Sequence, residues 1–269
     1  MAISTLAGLI TGLQFPRDYM QGSITTSPTG VNSCWGQTII PSPGTWDTTL
    51  NGVTLDSTSS QVTGQIYFPA PAANGYLAKI ELSANSGLAQ FLLCDRLWHN
   101  GGMSVTSTST QSITSPTFPA RDNNGATAGE GLLIGLEISS TVGASAPFIQ
   151  VSYTNSLGVS GRTATTIVGT YTATTGSMYE MTLQSGDTGV QSIQSINLNQ
   201  SWLSGTMNLV VYRPLAYIPI LNKGSASLAP AIVDAVAGGM QRLYTGTVPY
   251  FLSYSSCPAI NGKILFADG

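Results

Sequence analysis

Between residues 61 and 213 the chain alternates apolar and polar residues in short runs, and no long stretch carries apolar residues at helical spacing. Successive side chains of a β-strand point to opposite faces, so a period of two marks a half-buried strand. Residues 61–68 read as a strand that stops at Pro69. In 76–83, alternation places Tyr76, Ala78, Ile80 and Leu82 on one side and Leu77, Lys79, Glu81 and Ser83 on the other. Residues 88–97 form a continuous apolar run with a charged end, the pattern of a strand buried on both faces. Further strands are expected at 132–138, 148–154, 162–170, 179–183, 190–198 and 207–212, separated by Gly, Asn, Asp and Ser. Strands without crossover helices cannot form a parallel sheet. The expected fold is therefore all-β, an antiparallel sandwich of jelly-roll-like kind.

The flanks read differently. Residues 1–60 form an N-terminal arm. A short helix over 4–13 is capped by Ser4 and weakened at Gly12, and Phe15-Pro16-Arg17 breaks the pattern. An extended stretch rich in Thr, Ser, Gly and Pro follows, with isolated Trp35 and Trp46. Such an arm is ordered either by a neighbouring subunit or by lying along its own domain. Residues 214–269 form a C-terminal extension with one short helix. Leu228, Ala231, Ile232, Ala235 and Val236 stand at helical spacing, with Ser227 as cap, Pro230 in the first turn and Gly238-Gly239 as the stop. The expected division is arm 1–60, sandwich core 61–213 and extension 214–269.

Charge is scarce. Asp, Glu, Lys and Arg make up 8% of the residues, against roughly 25% in ordinary soluble domains. Hydrophobic residues reach 42%, enough for a core, and the formal net charge is -3. Low net charge promotes association, so the composition suits a chain with extensive subunit contacts. It suits a secreted Ser/Thr/Gly-rich sandwich equally well. The nine Lys and Arg are scattered. No basic stripe neutralises phosphates, and no direct nucleic-acid binding is expected. No run approaches the roughly 18 apolar residues of a membrane span. The N-terminus lacks the basic residues and cleavage site of a signal peptide. Three cysteines, Cys34, Cys94 and Cys257, make an odd set without CxxC spacing, so neither a disulfide framework nor a zinc site is indicated. Cys94 reads as a small buried hydrophobe, and a Cys34–Cys257 bridge stays open.

The search for chemistry turns up few candidates. His99 is the one histidine. In Asp95-Arg96-Leu97-Trp98-His99, alternation puts Asp95, Leu97 and His99 on one face, so an Asp95–His99 or Asp95–Arg96 bond is expected as a strand-end device. A triad would need a nucleophile elbow, and none occurs. A glycosidase pair would come from Glu81, Glu130, Glu137 and Glu180. Glu130 and Glu137 stand seven apart and on one strand would face opposite ways. Arg121-Asp122-Asn123-Asn124-Gly125 is oxygen-rich but misses the order of a calcium loop, and Asn-Gly there reads as a turn. Gly186-Asp187-Thr188-Gly189 reads as a turn before a strand. The expectation is no catalytic, cofactor-binding or metal-binding residues, and no cofactor.

Several stretches then carry a resemblance. They are 91–102 (Phe91-Leu92-Leu93-Cys94-Asp95-Arg96-Leu97-Trp98-His99-Asn100-Gly101-Gly102) and Pro119-Ala120-Arg121-Asp122-Asn123-Asn124-Gly125 leading into Gly129-Glu130-Gly131. Ser152-Tyr153-Thr154-Asn155, Gly161-Arg162-Thr163-Ala164 and 183–193 follow in order. Together they resemble a group of structural proteins of tailed bacteriophages, over roughly residues 77–213. The resemblance implies a virion component and carries no catalytic residues across. Asp95, Arg96, Arg121, Asp122, Glu130, Arg162 and Asp187 are then expected to pair within or between subunits, since a buried charge left alone costs about 3–5 kcal/mol.

The expected function is a capsid-associated subunit, of decoration, cement or coat type. It would assemble in the host cytoplasm into a virion, with copies of itself (a trimer, for example) and with the major capsid or other virion proteins. A tail, neck or fibre protein with a receptor-binding role is the alternative; Trp98, Trp202 and Tyr212 are the candidates to line its cleft, although core packing is the favoured role for each. A carbohydrate-binding or carbohydrate-active sandwich is the second alternative.

Overall fold

The computed structural model describes residues 5–13, 17–21, 31–34, 51–57, 68, 70–71, 74–84, 89–168, 172–220, 230–235, 239, 241–254 and 260–269. Among the described residues one helix, α1 (Leu6–Gly12), precedes sixteen strands. They are β1 (Arg17–Gln21), β2 (Val31–Cys34), β3 (Val53–Thr54), β4 (Gly75–Ala84), β5 (Ala89–Ser104), β6 (Gln111–Ser112), β7 (Leu133–Ser140) and β8 (Phe148–Asn155). Then come β9 (Arg162–Ile167), β10 (Ser177–Glu180), β11 (Val190–Leu198), β12 (Thr206–Ile220), β13 (Ala231–Asp234), β14 (Arg242–Leu243), β15 (Pro249–Ser253) and β16 (Ile260–Asp268). Every pairing among these strands is antiparallel. The chain is an all-β antiparallel sandwich with a short helix, as alternation without crossovers implies.

The central sheet is built on two long strands. β12 pairs with β5 along nearly its whole length and with β7 on its other edge. From β7 the pairing runs through β10, β2 and β15 back to β5, so six strands close on themselves. β3 pairs with β5 beyond the point where β15 stops. Closure removes the unpaired edges that an open sheet must protect. Cys94, Met178, Val210, Tyr212, Tyr250 and Leu252 pack together as one cluster.

The outer surface of the same strands feeds two further cores. Leu97, Trp98, Leu209 and Val211 pack with Ile149, Val151, Ile193 and Ile196 of the four-stranded sheet β6-β11-β8-β9. Phe91, Leu93, Leu215 and Ile218 pack with Leu77, Ile80, Ile264 and Phe266 of the five-stranded sheet, in which β1-β16-β4-β13 is joined by β14. Described parts of the arm and the extension thus pair with strands from the middle of the chain. The rest of the 21–60 arm, with Trp35 and Trp46, lies outside the described residues, as do the strand expected at 61–67 and Cys257.

Bulges decide which side chains face which core. In β4 the register passes from Lys79 opposite Leu265 to Leu77 opposite Phe266, leaving Ala78 as an extra residue. An extra residue reverses alternation beyond it. Leu77 therefore joins Ile80 and Leu82 in the core, not Lys79 as strict alternation predicts, while Tyr76 and Ala78 pack with Leu9 of the helix. β12 runs on through Pro214 and Pro219, beyond Tyr212 where the expected strand ends. Its pairing with β7 ends at Tyr212 opposite Leu133, so beyond that point one edge needs no described strand partner. The register also shifts between Pro214 and Ala216. Free edges and bulges are where a sheet tolerates proline.

Two helix expectations change. The N-terminal helix begins after Thr5, whose extended backbone (φ -134°, ψ 155°) and side-chain bond from the Gly8 amide make it the cap in place of Ser4. The C-terminal helix expected around 226–239 is corrected. Ala231–Asp234 is a strand paired with Leu82 to Lys79 of β4, and the Ala235 amide continues to the Ala78 carbonyl at 2.9 Å. The edge of β4 offers a ladder of backbone partners, and such tertiary pairing overrides local spacing. Residues 226–229 and 236–238 lie outside the described set.

The two flanking sheets differ in their outer faces. On the five-stranded sheet Lys79 and Glu81 form an ion pair, and the register sets Asp234 opposite Lys79 and Lys263 opposite Glu81. On the four-stranded sheet the corresponding rows are uncharged, for example Thr165, Gln150 and Asn197.

Candidate functional site

The charged residues of the resembling segments gather into a few clusters. The deepest is a fork. Arg96 Nη1 donates to Glu137 Oε1 at 3.0 Å and Nη2 to Oε2 at 2.9 Å, both side chains fully buried. His99 Nδ1 lies 2.5 Å from Arg96 Nη2. Burial, and then the adjacent guanidinium, lower the His99 pKa to about 3. The imidazole is therefore neutral, and Nδ1 accepts the bond. This corrects the expected pairing of His99 with Asp95. A bulge leaves Leu97 unopposed between Trp98 and Arg96, so His99 turns to the side of Arg96.

Asp95 belongs to a second cluster. Arg121 Nε and Nη2 donate to its two oxygens at 3.0 and 3.3 Å, and the Val248 amide adds a bond of 2.9 Å. Arg121 also donates to the carbonyls of Leu55 and Arg96, tying the 51–57 segment to β5. Arg213 approaches Asp95 at 3.9 Å, and its guanidinium lies 5.0 Å from the centre of the Tyr244 ring. Burial, partly offset by Asp95, lowers the Arg213 pKa.

A third cluster lies at the rim of the four-stranded sheet. Asp187 accepts from Tyr153 Oη (2.5 Å), Asn155 Nδ2 (2.7 Å) and Arg162 Nε (2.8 Å). The Arg162 hydrogen bond leads in lowering its pKa to about 2. Burial and the bond to Asp187 raise the Tyr153 pKa to about 12. Asn155 Oδ1 accepts from the amides of Leu157 and Val159, which fixes the β8–β9 turn.

The loops next to it interlock. The Asp122 carboxylate accepts four backbone amides, from Asn124, Ala126, Gly129 and Glu130, at 2.8–3.2 Å. Both oxygens therefore face N–H donors, which suits a loop organiser and not a calcium ligand. Gly129 (φ 86°) passes so close to Val190 that a Cβ there would sit 1.9 Å from the Val190 carbonyl oxygen. Thr188 Oγ1 donates to Glu130 Oε2 at 2.8 Å. The Gly-Glu-Gly and Asp-Thr-Gly motifs are thus one backbone crossing.

Chemically, these clusters cross-link strands. The four glutamates are held by different groups: Glu81 by Lys79, Glu130 by Thr188, Glu137 by Arg96, and Glu180 by the hydroxyls of Tyr212 (3.1 Å) and Tyr254 (2.7 Å). Burial raises the pKa of the Cys94 thiol, which keeps it protonated. Trp98, Trp202 and Tyr212 are all fully buried in the core, the role favoured for each, and none lines an exposed cleft. Among the described residues no three His, Cys, Asp or Glu side chains converge as a metal site.

Sequence reasoning left Glu137, Glu180, Tyr153 and Asn155 without partners. One signal was present. Glu137 is the single charge on β7, and Arg96 follows a long apolar run beside Asp95 on β5; a buried charge requires a partner of opposite sign.

No protein-family model and no curated protein matches the chain. Among solved structures, that of infectious bursal disease virus, Gx strain, aligns over 94% of this chain and 79% of its own at 10% identity. Its TM-score of 0.15 carries no argument about fold or role.

Proposed function

We propose that this chain is a non-enzymatic structural component of a tailed-bacteriophage particle. In this reading it is a capsid-associated subunit of decoration, cement or coat type that assembles with copies of itself and with other shell proteins. The observation that carries the reading is where the charge goes. The seven charged residues in the segments that resemble phage structural proteins are all engaged inside the chain. A catalyst needs ionisable groups that reach a substrate. Here they bind strands and loops into a frame, and the outer face of the four-stranded sheet is left uncharged. A shell subunit needs both properties, a rigid body and surfaces that meet neighbours without like-charge repulsion.

Quantitative mass spectrometry of purified particles of the encoding virus tests the proposal. Hundreds of copies per particle are expected. A dozen or fewer would move the protein to a neck or fibre. Absence from mature particles would overturn the reading, as would glycan cleavage by the purified chain that is lost on replacing Glu130, Glu137 or Glu180 singly.

A further inference from the structure

We propose, independently of the role above, that one end of the closed six-stranded sheet binds an alkylammonium group, a cationic head on an apolar stem such as a lysine side chain carries. The site follows from where the strands stop. β7 starts at Leu133, opposite Tyr212, and β10 ends at Glu180, opposite Gly135. β12 and β5 run on beyond that level, with β15 beside them. Tyr217 pairs with Leu92 and Leu92 with Leu252, and the Tyr254 amide bonds to the Gln90 carbonyl at 2.9 Å. Three strands thus continue as a wall where the ring has opened.

Alternation turns this wall inward. Leu92, Leu252 and Tyr254 pack with Cys94, Tyr212 and Tyr250 in the cluster that fills the ring. Tyr217 stands opposite Leu92, and directly opposed residues of an antiparallel pair share a face. Glu180 lies two residues beyond Met178 of the same cluster, so it faces inward too. Yet Tyr217 is 48% exposed, and Glu180 is exposed as well. Side chains that turn into a ring and still meet solvent mark an open mouth. The mouths of β-barrels are among the places where small ligands bind.

The chemistry of the mouth selects the ligand. Among the described residues turned into it, Glu180 alone is charged. The hydroxyls of Tyr212 and Tyr254 both donate to its Oε1, at 3.1 and 2.7 Å. Burial, and then Glu180, raise both phenol pKa values, so both hydroxyls stay protonated. Tyr217 lies close enough to Tyr254 to add to that rise. Both bonds reach one carboxylate oxygen, which leaves the acceptor sites of Oε2 for a ligand. An anion is repelled there, and neither phenol proton is left for it. An ammonium head donates to Oε2 in a charge-assisted hydrogen bond, and the Tyr217 and Tyr254 rings offer it their π faces. Half-buried Leu92 and Leu133 give its stem an apolar surface. A metal ion would call for further ligands, and no cluster of three carboxylate, imidazole or thiol groups includes Glu180 among the described residues.

The test is saturation-transfer NMR and titration calorimetry on the full-length chain. The probes are hexylammonium, its uncharged counterpart hexanol, and Nα-acetyl-lysine methylamide, which separates a lysine side chain from a free amine. Hexylammonium is expected to bind with a Kd on the order of 1 mM. Glu180→Gln keeps an acceptor oxygen for the two phenols and removes the charge. It is expected to weaken binding of either cation about tenfold, with the melting temperature kept. Tyr217→Ala is expected to weaken it roughly threefold, and Lys79→Ala, on the five-stranded sheet, to leave it unchanged. Should Glu180→Gln fail to fold, Tyr217→Ala decides, and unchanged affinity there overturns the site. Equal binding of hexanol, no binding of either cation, or full affinity in folded Glu180→Gln overturns it as well.

Discussion

The four-stranded and five-stranded sheets lean on the same two strands, β5 and β12, yet they meet the outside differently. Inside, both are aliphatic and aromatic, with Ile149, Val151 and Ile193 in one and Ile80, Ile264 and Phe266 in the other. Outside, one carries Lys79, Glu81, Asp234 and Lys263, while the other carries Ser, Thr, Gln and Asn. The lesson is that core formation does not dictate the outer face. Packing requires only the inward residues of each strand, so the outward set is free to serve solvation or contact. In this chain Asp95, Arg96, Arg121, Asp122, Glu137 and Arg213 are buried cross-links, while Lys79, Glu81, Asp234 and Lys263 stand on the five-stranded sheet.

The comparison can be broken at its root in the strands that both sheets share. Glu137→Leu leaves the buried Arg96 guanidinium uncompensated, with an expected loss of about 3–5 kcal/mol of stability. In urea denaturation followed by fluorescence and by hydrogen exchange, both sheets are expected to unfold together. Separate transitions would mean that they are independent bodies. Acid is the next probe. The folded His99 pKa, about 3, lies below the ordinary 6.5, so the unfolded chain binds more protons between these values. Stability therefore falls as pH drops from about 6.5 towards 3. In His99→Gln the melting temperature is expected to depend less on pH across that window; an unchanged slope would remove His99 as the cause.

Asp187→Asn sharpens the contrast, because its cluster belongs to one sheet. Hydrogen-exchange protection is expected to drop in β8 and β9 and to hold in β4 and β16. The wild-type carboxylate, depressed to about 2, adds a contribution that is lost as pH falls from about 3.8 to 2. The smallest effect is expected for Lys79→Ala. Its ion pair with Glu81 lies on the open face, and such pairs contribute about 0–1 kcal/mol. A loss comparable to that of Glu137→Leu would mean that the face is covered.

Much of the frame was readable in advance. The β5, β7, β8, β11 and β12 segments were marked by runs of Val, Ile, Leu and Tyr, and the turns by Gly, Asn and Asp. Those signals are local: a strand's period and a glycine's freedom are properties of a few adjacent residues. The helix expected around Ala231 failed because a short apolar run satisfies two periods, and the edge of β4 chose between them. The clusters were half legible. That the charges must pair followed from their position in apolar strands, but which partner each took did not.

By itself, then, the amino-acid order determined the class of fold, the places where the chain turns, and the need for internal ion pairs. Only the tertiary structure decided that six strands close into a ring, that His99 faces Arg96, and that one sheet face is wholly neutral. The reason is register. A bulge at Ala78 or Leu97 reverses every side chain beyond it, and whether a bulge forms depends on the partner strand, which the local sequence does not contain.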